Sequence, residues 1–245
     1  MKKLYLLPVL AFGFSTAVAQ TENKPIPKTT VLIKFAPATV FAGKIGFGGE
    51  INDGDKSSCT VYAGIPYASS FNWMIDGQKR TLTTKSYSVM AGYRLYLGKK
   101  SLQGLYFEPY FKCLDNKTST QAEYMIGKST MNFNVSSNYH GMGIGAQLGY
   151  QFLVAKKISV DCYLLGPEAN SCKYELIAHP AGESMAWDET ASADAREEFT
   201  RFVRDIPVIG NKTSINVNTD QRRVTAEYRG FMPGFRTGIS LGFRF

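Results

Sequence analysis

The chain ends Phe235-Arg-Thr-Gly-Ile-Ser-Leu-Gly-Phe-Arg-Phe245. Read at a period of two, Phe235, Thr237, Ile239, Leu241, Phe243 and Phe245 share one face, and Arg236, Gly238, Ser240, Gly242 and Arg244 share the other. A strand of a soluble sandwich rarely covers small or charged residues and rarely puts aromatics at the terminus. The pattern fits a strand whose greasy face meets hydrocarbon and whose other face looks into a narrow lumen.

Upstream segments repeat the alternation. Thr30 to Val40 sets Val31, Ile33 and Phe35 against Lys34 and Ala36, and Lys44 to Ile51 sets Ile45 and Phe47 against Gly46, Gly48 and Glu50. Thr60 to Tyr67 and Leu82 to Leu97 continue it, the latter with Val89, Tyr93 and Leu95 opposite Met90, Gly92 and Arg94. Gln103 to Cys113 opposes Leu105, Phe107 and Phe111 to Tyr106, Glu108, Tyr110 and Lys112; Pro109, which lacks a ladder donor, predicts a bend or an edge there. His140 to Val154 alternates most regularly, with four glycines on the inner face, and Ile158 to Leu165 turns Val160 and Cys162 out and Asp161 and Tyr163 in. Counting the last strand, this predicts an all-β, antiparallel up-and-down transmembrane barrel of about eight strands, an even number that returns both termini to one side.

Between the segments, Ser69 to Arg80 reads as an outer loop with a turn at Asp76-Gly77, and Asp115 to Asn138 as a polar loop that continues its flanking strands. The longest connection is 166–232. Within it, Ala195, Phe199, Phe202, Val203 and Ile206 fit a short amphipathic helix near 191–206, stopped by Pro207. That helix caps its own loop, lies on a membrane surface or meets a partner.

The amino end carries Lys2-Lys3, an apolar run from Leu4 to Phe14 and Ala17-Val-Ala19, which reads as a secretory signal peptide over 1–19, followed by a polar leader at 20–28 and the barrel domain at 29–245. Mean hydropathy of −0.16 does not exclude membrane insertion, because alternation hides lipid-facing residues. The formal charge of +8, about +6 without Lys2 and Lys3, comes with no nucleic-acid recognition motif, so lipopolysaccharide phosphates are the expected acidic neighbours. Cys59, Cys113, Cys162 and Cys172 form no CxxC pair, and only His140 and His179 could join them, so neither a metal site nor another cofactor is expected. The spacing leaves a Cys162–Cys172 disulfide open.

With these marks together, the chain resembles small outer-membrane barrels of Gram-negative bacteria, of the OmpA and OmpX type and an uncharacterised barrel family near them. The resemblance implies residence in the cell outer membrane, contact with its lipid and lipopolysaccharide, and a carboxy-terminal signal, Phe243 and Phe245, read by the barrel-assembly machinery. The long helical insert departs from the short-loop pattern.

On the inner face, Lys34, Arg94, Lys112, Arg236 and Arg244 would meet Glu50, Glu108 and Asp161. In a barrel of this size side chains fill the interior, and charges there must pair. The expectation is a structural ionic network in a plugged lumen of a monomeric, non-enzymatic protein with a structural or surface-interaction role, its surface ligand unnamed. Two alternatives stand beside it: a narrow pore for small or hydrophobic solutes, and a lipid A-modifying enzyme. The second needs a nucleophile within reach of a base, yet Asn138 and Met142 occupy the same-face positions around His140, and His179 has no serine or threonine there.

Overall fold

The computed structural model describes residues 29–245 apart from 76–77, 99, 127–128, 182–188 and 205–209. The predicted signal peptide and leader, the Asp76-Gly77 turn and Pro207 lie outside the described residues.

Ten strands form one antiparallel sheet: β1 (Val31–Ala36), β2 (Lys44–Asn52), β3 (Ser57–Pro66), β4 (Ser69–Ile75), β5 (Gln78–Tyr96), β6 (Gly104–Ile126), β7 (Ser129–Val154), β8 (Ile158–Pro180), β9 (Ser214–Asn218) and β10 (Arg223–Arg244). Eight of them close a ring in the order β1-β2-β3-β5-β6-β7-β8-β10, and β10 pairs back onto β1 from Leu32↔Arg244 to Phe35↔Leu241. The remaining two, β4 and β9, pair only with the upper parts of β5 and β10. The chain is therefore an up-and-down β-barrel, with Thr30 and Phe245 together at what we call its lower end.

Exposure follows the alternation. Ile33, Phe47, Val61, Leu95, Phe107, Ile144 and Ile239 face outwards, while Lys34, Glu50, Tyr62, Arg94, Tyr106, Gln147 and Ser240 are buried inside. The interior is narrow because four tyrosines lie across it, each directly opposite a glycine on the neighbouring strand: Tyr62 over Gly48, Tyr106 over Gly149, Tyr110 over Gly145 and Tyr163 over Gly238. A Cβ at any of these glycines would run into the ring.

Several boundaries differ from the sequence reading, each for a local reason. The first strand stops at Ala36, because Pro37 opens a 3-10 helix (Pro37–Ala42) that ends at Gly43 with φ +73°. The Gly43 carbonyl accepts hydrogen bonds from Tyr67 N (3.0 Å) and Ser86 N (2.7 Å), which inserts the β1–β2 connection where β3 breaks off from β5. Pro109 makes neither an edge nor a shift of register. It pairs with Ala146 of β7, and on the β5 side the ladder resumes in register, Gly92↔Tyr110 and Leu95↔Phe107, across two missing rungs.

The predicted loops are largely strand. Residues 69–75 and 78–80 belong to the paired strands β4 and β5, 115–126 and 129–138 continue β6 and β7, and the first 15 residues of the predicted 166–232 connection belong to β8. At about 3.3 Å per residue, β8 is about 75 Å long. Above the ring, β6, β7, β8, β10 and β9 thus form an open, curved sheet. Its inner face is covered by α1 (Glu189–Arg204), whose Ala195, Phe199 and Val203 are fully buried against Ala122, Tyr124, Phe133, Leu176 and Val224. The ring centroids of Phe199 lie 4.6 Å from Tyr124 and 5.5 Å from Phe133. Glu189 in the first turn and Arg201 and Arg204 in the last complement the helix dipole. No helix among the described residues is long and apolar enough to cross a membrane.

Cys162 and Cys172 are both in β8, ten residues and about 33 Å apart, with opposite orientation, which excludes the disulfide left open by their spacing.

Candidate functional site

The lower lumen is crossed by one ionic layer. Lys34 of β1 places Nζ 2.5 Å from Glu50 Oε2 (β2) and 2.9 Å from Asp161 Oδ2 (β8). Arg94 of β5 reaches Glu108 of β6 through Nε at 2.7 Å, and Asp161 and Glu50 through Nη1 at 2.8 and 3.3 Å. All five side chains are inaccessible to solvent. Two cations thus share three carboxylates across five of the eight ring strands.

Neutral groups complete the layer. Tyr96 and Ser58 donate to Glu50 Oε1 at 2.5 and 2.6 Å, Tyr106 to Asp161 Oδ1 at 2.6 Å, and Gln147 and Thr60 to Glu108. Gln151 Oε1 accepts from both Lys34 and Arg94 at 2.7 Å. The Arg94 guanidinium lies 4.1 Å from the Tyr106 ring centroid. Burial of this kind costs several kcal/mol per ion unless every lone pair is met, which is why hydroxyls and amides surround the charges.

The other three predicted lumen cations go elsewhere. Lys112 pairs above the layer with Glu168, which also accepts from the Tyr110 hydroxyl at 2.9 Å. Arg236 lies among the rings of Tyr163, Tyr110 and Tyr62, at 4.7, 5.6 and 5.8 Å from their centroids. Arg244 sits at the lower rim, its Nη2 3.4 Å from Thr30 Oγ1. Phe243 and Phe245 point outwards with ring centroids 5.1 Å apart.

Glu168 was missed by the sequence reading because 166–232 was read as a connection, and β8 in addition changes parity just before it. The register shifts beside Leu164 and Leu165, both exposed, so inward positions are odd at Asp161 and Tyr163 but even from Gly166 through Glu168 to Cys172. The adjacent leucines were the available signal. Lys44, inward beside Ser88, was missed because it opens its strand.

Of the two histidines, His140 is on the outer face, hydrogen-bonded to Asp115 directly opposite on β6, and His179 is opposite Asn134. Among the described hydrogen bonds neither imidazole meets a serine or threonine hydroxyl. No cluster of His, Cys, Asp or Glu among the described residues could hold a metal ion.

The closed ring and the charged layer across it define an eight-stranded β-barrel with a polar interior. No protein-family model and no curated protein matches the chain. Among solved structures it is similar to CarO of Acinetobacter baumannii, at 11% identity and a TM-score of 0.39, covering 91% of this chain and 99% of that one. CarO2 of the same organism is likewise similar, at 11% identity and a TM-score of 0.43, covering 89% and 98%.

Proposed function

We propose that the protein is a monomeric, non-enzymatic outer-membrane β-barrel whose lumen is sealed by the ionic layer and whose upper sheet and helix are presented to the medium for structural support or recognition. The observation that carries this reading is the solvent-free layer of Lys34, Glu50, Arg94, Glu108 and Asp161 inside a ring that is apolar outside. The apolar band has a defined upper limit. Tyr87, Asp115, His140, Lys173 and Arg229 lie in register across five strands, and mainly polar residues follow above them on the outer face, with Met74 and Met125 as exposed exceptions. Strands β2 and β3, of 9 and 10 residues, match the roughly 9–11 residues needed for one crossing, and the longer strands pass beyond it. Lys173 and Arg229 stand where lipopolysaccharide phosphates would lie.

Planar-bilayer recording tests the seal. The purified protein is expected to give no steady current, because the five charged side chains that cross the lumen are closed to solvent; sustained conductance from the wild-type chain refutes it in favour of a pore. A change in lipid A mass on expression would favour the enzyme instead.

A further inference from the structure

Above the ionic layer the lumen opens into a cavity of about 290 Å³, lined by Lys44, Tyr62, Lys112, Glu168 and Arg236. It adjoins a second, of about 530 Å³, walled by Phe41, Phe71, Leu114, Met232 and Phe235. Both border on Lys44, Lys112, Glu168 and Phe235. Each is within or close to the range of about 300–1,000 Å³ usual for small-molecule sites, and the second is the more apolar.

The charges around the first cavity do not balance. Lys44, Lys112 and Arg236 face a single carboxylate, Glu168, which is already engaged by Lys112 and the Tyr110 hydroxyl. Among the described residues Lys44 Nζ bonds a neutral atom, Ser88 Oγ at 2.9 Å, and lies within electrostatic range of two cations, Arg236 and Lys112, and of one carboxylate, Glu168. Arg236 is held by ring faces, and its Nε is a buried donor without a hydrogen-bond partner among the described residues. So is the hydroxyl of Tyr62, a residue only 7% exposed. Arg94 Nη2 and Gln147 Oε1 of the layer below are also without a partner among the described residues, so what marks a place for an anion is the uncompensated charge of Lys44 and Arg236.

The barrel wall is incomplete at the same height. β10 is paired with β1 only over Leu241–Arg244 and with β9 only over Arg223–Glu227; between these, its edge opposite β8 pairs with no strand among the described residues, and the 3-10 helix Pro37–Ala42 packs beside it in place of one. Phe235, which lines both cavities, lies on that stretch and is 60% exposed.

We infer that the joined cavities bind a single-chain anionic amphiphile of the fatty-acid kind. Its carboxylate sits at Arg236, Lys44 and the Tyr62 hydroxyl, and its chain follows the apolar wall towards the gap beside β10. The inference rests on the membrane reading for where the gap opens, and it does not depend on the seal below.

The test uses the full chain in phosphatidylcholine nanodiscs, titrated with the fluorescent fatty acid 11-(dansylamino)undecanoic acid. Saturable enhancement above empty nanodiscs is expected, displaced by laurate but not by dodecyltrimethylammonium, acetate or phosphate. Arg236→Gln combined with Lys44→Gln should weaken binding by at least about tenfold, and Lys117→Gln on the outer face should leave it unchanged. Heat-modifiable gel migration reports whether each variant is folded. Should the double variant not fold, Lys44→Gln alone is read in its place, with a loss of a few-fold expected. Equal displacement by the ammonium amphiphile, or undiminished binding in the folded variant, overturns the anion site; displacement by acetate or phosphate as effective as by laurate overturns the chain. A chain that fails to enter nanodiscs would instead overturn the membrane reading.

Discussion

Arg94 is the residue on which the ionic layer turns, because it alone touches Glu50, Glu108 and Asp161. Replacing it by Met leaves three buried carboxylates with only Lys34. Loss of one partner from such a set typically costs about 3–5 kcal/mol, so Arg94→Met should lower the urea midpoint of the detergent-refolded barrel clearly, while Arg244→Gln, with a 3.4 Å contact to Thr30, should change the unfolding free energy by less than about 0.5 kcal/mol and leave the midpoint nearly in place. A wild-type midpoint for Arg94→Met would mean that the layer does not hold the strands together. Gly149→Val tests the tyrosine–glycine pairs. Its side chain would displace Tyr106, whose hydroxyl holds Asp161 and whose ring lies beneath Arg94, so it should destabilise the barrel more than Gly54→Val in the β2–β3 turn. Most of this chemistry was legible in sequence, since alternation alone aims Lys34, Glu50, Arg94, Glu108 and Asp161 inwards. Their partition was not: which cation meets which carboxylate depends on height in the barrel, set by stagger between strands rather than by spacing along one.

At the scale of elements, the bulge in β8 and the helix α1 each permit a sharp expectation. Deleting Leu164 alone takes out the extra residue and leaves plain alternation, Tyr163 in, Leu165 out, Gly166 and Glu168 in, whereas deleting Leu164 and Leu165 together turns Glu168 and Asn170 out and Pro167 and Ala169 in. The single deletion should keep the heat-modifiable folded band and the double deletion should lose it. Loss of the band in both would show that the bulge itself is required. In α1, Phe199→Ala removes the ring that fills the space between Tyr124 and Phe133, a change that usually costs about 3–5 kcal/mol. The loss should be local: protease trimming of the helix on intact cells should accelerate while the barrel keeps its heat-modifiable migration. The sequence placed this helix within two residues of its observed bounds, because a stripe at positions 195, 199 and 203 follows from helical period alone. It could not say that the stripe is buried on the inner face of the upper sheet, because that sheet was read as loop.

For the whole molecule, the proposed seal and the seam both depend on ring closure. The seal predicts silence in planar bilayers, as above. The seam between β1 and β10 is only four residues long, so cysteines introduced at Ile33 and Phe243, which face each other across it, should cross-link under oxidation in the folded barrel and abolish heat-modifiable unfolding of the band. An unchanged band under oxidising conditions would refute closure at that register. The amino-acid sequence by itself determined the fold class, the count of ring strands and the face on which nearly every barrel side chain lies. It could do so because a period of two is a local property, repeated wherever one side meets an apolar surround. Only the tertiary structure decided where strands outrun the ring, how one bulge reverses the faces of β8, and that Lys44, Glu168 and Arg236 gather around one cavity. Those outcomes are set by register between distant segments, which no single stretch of chain encodes.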